Sequence, residues 1–152
     1  MIHGYLSATV NKGGKTEQLA KWKHNLLANS GRDAFHALVY TNTAAGTRGF
    51  GYIASTQSSF SPAATDTTLI GEIAANGLTR ADATTKTHTA STNSTTIEHT
   101  FTASGSFTDV LASATFVAGT AGTMGHEANF TSGSGTLITN DTLKITWTLN
   151  LG

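Results

Sequence analysis

The stretch Asn140-Asp141-Thr142-Leu143-Lys144-Ile145-Thr146-Trp147-Thr148-Leu149-Asn150 decides the fold class. Successive side chains of an extended strand point to opposite faces, so Leu143, Ile145, Trp147 and Leu149 share one face while Thr142, Lys144, Thr146 and Thr148 share the other. One apolar and one hydroxyl-rich face is the pattern of a half-buried antiparallel β-strand. The alternation extends back to about Leu78. Residues 78–90, 95–103, 107–117 and 123–131 read as strands, with turns at 91–94, Ser104-Gly105-Ser106, 119–122 and 132–135. Within the second of these strands Ile97, His99 and Phe101 share the inward parity.

Upstream, Ile2, Gly4, Leu6, Ala8 and Val10 share one parity, and the turn Asn11-Lys12-Gly13-Gly14 leads into a second run over 15–27, where Ala20, Trp22 and His24 alternate with Lys21 and Lys23. An N-terminal hairpin is expected. Asn29 or Ser30 caps a helix through Tyr40, with Asp33 in its first turn and Phe35, Leu38 and Val39 at helical spacing. A loop over 41–51 precedes a short strand at Tyr52-Ile53-Ala54, and a second loop over 55–64 holds the only proline, Pro62. Thr65 or Asp66 then caps a second short helix in which Leu69, Ile70, Ile73 and Ala74 cluster, ended by Asn76-Gly77 as a left-handed stop. The expected fold is mainly β: a single antiparallel β-sandwich domain over 1–152, jelly-roll-like, with about eight strands and two short helices.

Composition narrows the function. Charged residues are 12% of the chain, against about 25% in an ordinary soluble domain, so solubility rests on neutral hydroxyls. Nine basic and nine acidic residues cancel, leaving no net field to hold nucleic acid or an anionic membrane. The absence of cysteine excludes disulfide frameworks and thiolate metal sites. Met1-Ile2-His3-Gly4-Tyr5-Leu6 lacks the basic and apolar parts of a signal peptide, and no run approaches the length of a membrane span, so synthesis in the cytoplasm without a secretion signal is expected.

No catalytic constellation stands out. The six histidines, His3, His24, His36, His88, His99 and His126, show neither i,i+4 helical nor i,i+2 strand spacing. His99 and His126 have inward parity on strands expected to be neighbours and are the one candidate metal pair; hydrogen-bonded core or interface histidines are the plainer reading. Glu72, Glu98, Glu127, Asp33, Asp66, Asp82, Asp109 and Asp141 are dispersed, with no two placed by sequence as a general acid and base. Glu72 and Arg80 are placed to form a partly buried salt bridge pinning the second helix to the sheet. No serine lies in G-x-S-x-G, and neither 31–33 nor 46–49 forms a phosphate-binding loop. Trp22 and Trp147, with Phe101, Leu143, Ile145 and Leu149, supply core volume to a domain of small residues. A carbohydrate-binding module would need outward aromatics or a calcium loop, and the outward positions are threonines. No cofactor is expected.

Taken together, Asn25-Leu26-Leu27-Ala28-Asn29-Ser30-Gly31-Arg32-Asp33, Gly51-Tyr52-Ile53-Ala54, Thr65-Asp66-Thr67-Thr68-Leu69 with Glu72, Gly77-Leu78-Thr79-Arg80-Ala81, Phe101-Thr102-Ala103, Gly122-Thr123-Met124 and Asp141-Thr142-Leu143-Lys144-Ile145-Thr146-Trp147 resemble a family of small β-rich virion proteins of tailed bacteriophages and archaeal tailed viruses. The resemblance covers about 25–149; His126-Glu127 departs from the family's commoner pattern. It implies a non-enzymatic virion structural protein on the capsid or tail surface, most readily a capsid decoration or cement protein present in many copies. Its partners would be itself, as a homo-oligomer such as a trimer, and the major capsid protein, with a tail, baseplate or fibre role as the alternative and a carbohydrate-binding module contacting host glycan as a further one. The hairpin over 1–20 falls outside the similarity and is the expected docking element, with Ile2, Tyr5, Leu6 and Val10 at the interface.

Overall fold

A computed structural model describes residues 5–12, 15–24, 35–41, 49–130 and 136–150, with the backbone alone over 5–24. The expected N-terminal hairpin is formed by β1 (Tyr5–Lys12) and β2 (Lys15–His24). They pair antiparallel from Lys12↔Lys15 to Tyr5↔His24, with register shifts on either side of Ala8.

The rest of the described chain is mainly β, with seven strands in two antiparallel sheets. β3 (Tyr52–Thr56), β4 (Ala81–Asp82), β7 (Ala112–Phe116) and β8 (Met124–Asn129) form one sheet in the order β4-β3-β7-β8. β5 (Thr85–His88), β6 (Ser94–Thr102) and β9 (Thr142–Asn150) form the other, in the order β5-β6-β9. β9 follows the alternation of its sequence, with Ile145 and Leu149 buried, Leu143 and Trp147 partly so, and all four threonine and lysine positions between Thr142 and Thr148 exposed. β6 pairs with it residue for residue from Ser94↔Asn150 to Thr102↔Thr142.

Two expected strands are shorter than their patterns. The 78–90 segment divides into β4 and β5 because the chain leaves one sheet for the other between them; the Ala83 amide is held by the Gly51 carbonyl at 2.8 Å. In 107–117 only Ala112–Phe116 is strand, while Phe107 bridges to Leu137.

Of the first expected helix only the end lies among the described residues, where Ala37–Thr41 form one wide turn. This turn buries Tyr40 and leaves Leu38 exposed, and just before it His36 is buried and Phe35 exposed; the cap at Asn29 or Ser30 lies outside the described residues. The second helix does not form. Gly71 takes φ +62°, Glu72 bridges to Thr56 and the Ile73 amide donates to the Ser55 carbonyl at 2.9 Å, so the segment is drawn out along the end of β3. The Thr56 hydroxyl secures it further by donating to the carbonyls of Ile70 (2.6 Å) and Gly71 (3.0 Å). Asn76 and Gly77 are left-handed as expected, with φ 53° and 83°, but they turn an irregular chain.

The main hydrophobic cluster takes Ile53 from the four-stranded sheet and Ile97, Phe101, Ile145 and Leu149 from the three-stranded one, with Tyr40, Leu78, Phe107, Val110 and Leu137 from the connections. Trp147 packs against it, and its indole N–H donates to Ser113 Oγ on β7 at 3.1 Å. A second cluster, Ala54, Leu69, Ala114 and Phe116 with Tyr52, Phe60 and Met124 around it, lies on the other face of the four-stranded sheet. Covered on both faces, β7 is buried at all five positions, which is why Ala112-Ser113-Ala114-Thr115-Phe116 shows no polar alternation.

Candidate functional site

The two sheets present different outer faces. On the three-stranded sheet the cross-strand register stacks Thr87, Thr96 and Thr148 in one row, Thr85, Glu98 and Thr146 in the next, then Thr100 with Lys144 and Thr102 with Thr142. This face is neutral and hydroxyl-covered, and its charges meet as one ion pair, Lys144 Nζ to Glu98 Oε2 at 3.0 Å. The hydrogen bond and charge of Lys144 hold the Glu98 carboxyl below its ordinary pKa. β-Branched side chains in register are stiff at χ1, so the surface loses little rotamer freedom when something rests on it.

The outer face of the four-stranded sheet is covered by the chain between β3 and β4, and Arg80 fastens this cover. Its Nε donates to Glu72 Oε1 at 2.9 Å and its Nη2 to Glu72 Oε2 at 2.5 Å. Nη1 donates to the carbonyls of Ala118 (3.0 Å) and Ala121 (2.5 Å). The guanidinium lies 3.4 Å from the Phe116 ring centroid, and its side chain is only 8% exposed. Glu72 and Arg80 thus meet as the sequence predicts, on an extended segment in place of a helix. A bidentate, stacked guanidinium with all its neighbours paired is a structural fastener.

His99 and His126 do not form a pair. β9 returns to β6 and β8 stays with β7, so the two strands are not neighbours and belong to different sheets. The His99 ring meets Phe101 edge-on at 4.5 Å. His126 Nδ1 is hydrogen-bonded to the Thr115 hydroxyl at 2.9 Å, with its ring among Tyr40, Phe50 and Trp147; burial pushes its pKa down. No group of three or more histidines or carboxylates placed to hold a metal occurs among the described residues.

Two constellations had no sequence signal. His36 and His88, far apart in the chain, stack at 4.1 Å between centroids and 14° between planes. His36 Nδ1 is hydrogen-bonded to the Thr95 hydroxyl and His88 Nδ1 donates to the Ser94 carbonyl at 2.8 Å, which fixes the helical turn on β5 and β6. The second is a carboxylate pair, Asp66 and Glu127, beside an open cleft of about 360 Å³ lined by Phe60, Ser61, Asp66, Thr68, Ile70 and Glu127.

Phe101, Leu143, Ile145, Trp147 and Leu149 all belong to the main cluster or pack on it. The roles expected of Trp22, Tyr5, Leu6 and Val10 concern side chains outside those described, and Ile2 lies outside the described residues altogether. Comparison with protein-family models, curated proteins and solved structures returned no match.

Proposed function

We propose that the chain is a non-enzymatic virion structural protein that coats a tailed-virus particle in many copies, as a capsid decoration or cement protein. The observation that carries this reading is the outer face of the β5-β6-β9 sheet: stiff, neutral rows of hydroxyls suit adhesion by area, where many weak contacts must break together. The resemblance described above supplies the setting. In this reading the two sheets form a jelly-roll-like β-sandwich, a topology favoured by the return of β9 to β6 after the β7–β8 hairpin. The hairpin within 1–20 acts as the docking arm. A two-stranded ribbon is marginal in water by itself, and its free edges offer backbone groups to another chain. Assembly as a homo-oligomer such as a trimer, seated on major capsid subunits, follows the symmetry usual for such coats.

Image reconstruction of purified particles carrying the tagged protein tests the location. Density at symmetry-related points of the shell supports decoration; density confined to the tail replaces it with a tail, baseplate or fibre role. A chain lacking residues 1–12 should remain folded and lose attachment, and retained attachment would remove the docking arm from the model of assembly.

A further inference from the structure

Between β3 and the second cluster, the chain over 57–70 crosses the outer face of the four-stranded sheet and is tied to its edge strand β8 at two places. The first tie is neutral: the Asn129 carboxamide donates to the Phe60 carbonyl at 2.5 Å and accepts from the Phe60 amide at 3.4 Å. The second is acidic. One backbone N–H, that of Ala63, is shared between Asp66 Oδ2 at 3.0 Å and Glu127 Oε1 at 3.2 Å. Two carboxylates that meet on one donor cannot both ionise without repulsion, and a single proton between them turns repulsion into a hydrogen bond.

Among the described side chains, no cation is placed to neutralise the pair. The lysines and arginine whose side chains are described are committed elsewhere, Arg80 to Glu72, Lys86 to Asp82 and Lys144 to Glu98. On this face β7 sets Ala114 and Ala112 opposite Glu127 and Asn129, and His126 points to the other side of β8, against Thr115. From the crossing segment, Phe60, Ser61, Thr68 and Ile70 line the cleft, so Asp66 is its only ionisable group there.

We propose that Asp66 and Glu127 form a proton-operated latch that holds the 57–70 segment against β8. Desolvation and the hydrogen bond from Asp66 raise the Glu127 pKa above its ordinary value, consistent with a shared proton. The sign follows from linkage. A carboxyl whose folded pKa is raised stabilises the closed form fully below its unfolded pKa, and that stabilisation is lost as pH rises through the raised value. The latch is therefore shut below the ordinary carboxyl pKa and weakens as pH rises through the raised value, when Phe60 and the apolar patch around Leu69 and Phe116 lose their cover. Glu127→Gln keeps it shut at every pH, because the carboxamide donates to Asp66 and accepts from Ala63 without a proton to lose.

Amide hydrogen exchange on the intact chain, resolved by residue and corrected for intrinsic rates between pH 4 and 8, tests the latch. The protection of Ala63 and Phe60 should fall about tenfold for each unit of proton linkage across the titration, while that of the β6 and β9 amides stays level. In Glu127→Gln the fall should vanish. Wild-type protection flat with pH, or a fall that persists undiminished in Glu127→Gln, overturns the proposal; a parallel fall in the β9 amides overturns it too, since opening would then be global.

Discussion

Replacing Arg80 by alanine tests the largest polar commitment in the described structure. The substitution removes both bonds to Glu72, the bonds to the Ala118 and Ala121 carbonyls and the stacking on Phe116. Breaking a fully buried ion pair costs about 3–5 kcal/mol, but the Glu72 side chain is 24% exposed and can regain water, which lowers that figure toward about 1–2 kcal/mol. Loss of the cation–π contact adds about 1 kcal/mol. The two freed carbonyls add less, because Ala121 already faces solvent. The sum, about 2–4 kcal/mol, corresponds to a thermal midpoint lowered by roughly 5–15 °C in a domain of this size. Calorimetry on wild type, Arg80→Ala, Glu72→Ala and the double variant closes a cycle, in which the coupling should reach about 1 kcal/mol or more. Arg80→Lys should recover little, since an ammonium can neither bridge both carboxylate oxygens nor stack as a plane. A midpoint within about 2 °C of wild type for Arg80→Ala, or a coupling near zero, would refute the view that this fastener holds the outer cover.

Three further outcomes are expected. Gly77→Ala should lose about 1–2 kcal/mol from its left-handed backbone alone, and more because the new Cβ would lie 2.0 Å from the Thr102 carbonyl oxygen; urea titration reads this, and a neutral result would mean that the turn differs. Burial lowers the His126 pKa, so its contribution is complete above the unfolded value of about 6.5 and declines as pH falls below it; His126→Gln should flatten the denaturant midpoint between pH 7 and 5, and an unchanged slope would count against it. Lys144→Ala should move the Glu98 carboxyl titration upward in NMR while leaving thermal stability almost unchanged, since the pair lies on an open surface; an unmoved Glu98 titration would separate the two residues.

The parts of the fold legible in the sequence are those set by local rules. β6 and β9 could be read because period-two alternation is a property of one strand facing one core, and the turns because Asn76-Gly77 and the 119–122 segment supply left-handed residues where the chain reverses, Gly122 taking φ 81°. The second helix was misread for a tertiary reason. Leu69 and Ile73 are four apart and both buried, which imitates a helical face, but Leu69 enters the outer cluster and Ile73 the one between the sheets. The supposed neighbours His99 and His126 were separated by the non-local return of β9 to β6. Glu72 and Arg80 were legible as opposite charges at either end of a short connection. The Asp66–Glu127 and His36–His88 meetings join distant segments, and no spacing rule reaches across them.

The unequal finish of the two sheets separates what evolution must keep from what it can change. On the four-stranded sheet, residues such as Phe116, Ala114 and Arg80 are tied into clusters and hydrogen bonds, so drift there is checked by folding. The outer threonines of β5, β6 and β9 contribute mainly stiffness and hydroxyls, while the other side of the same strands holds the core. Substitutions among Thr85, Thr100, Thr142 and Thr148 therefore alter what the surface can touch at little cost to the fold. Under the proposed coat role, that face is the part of the molecule free to follow a changing partner.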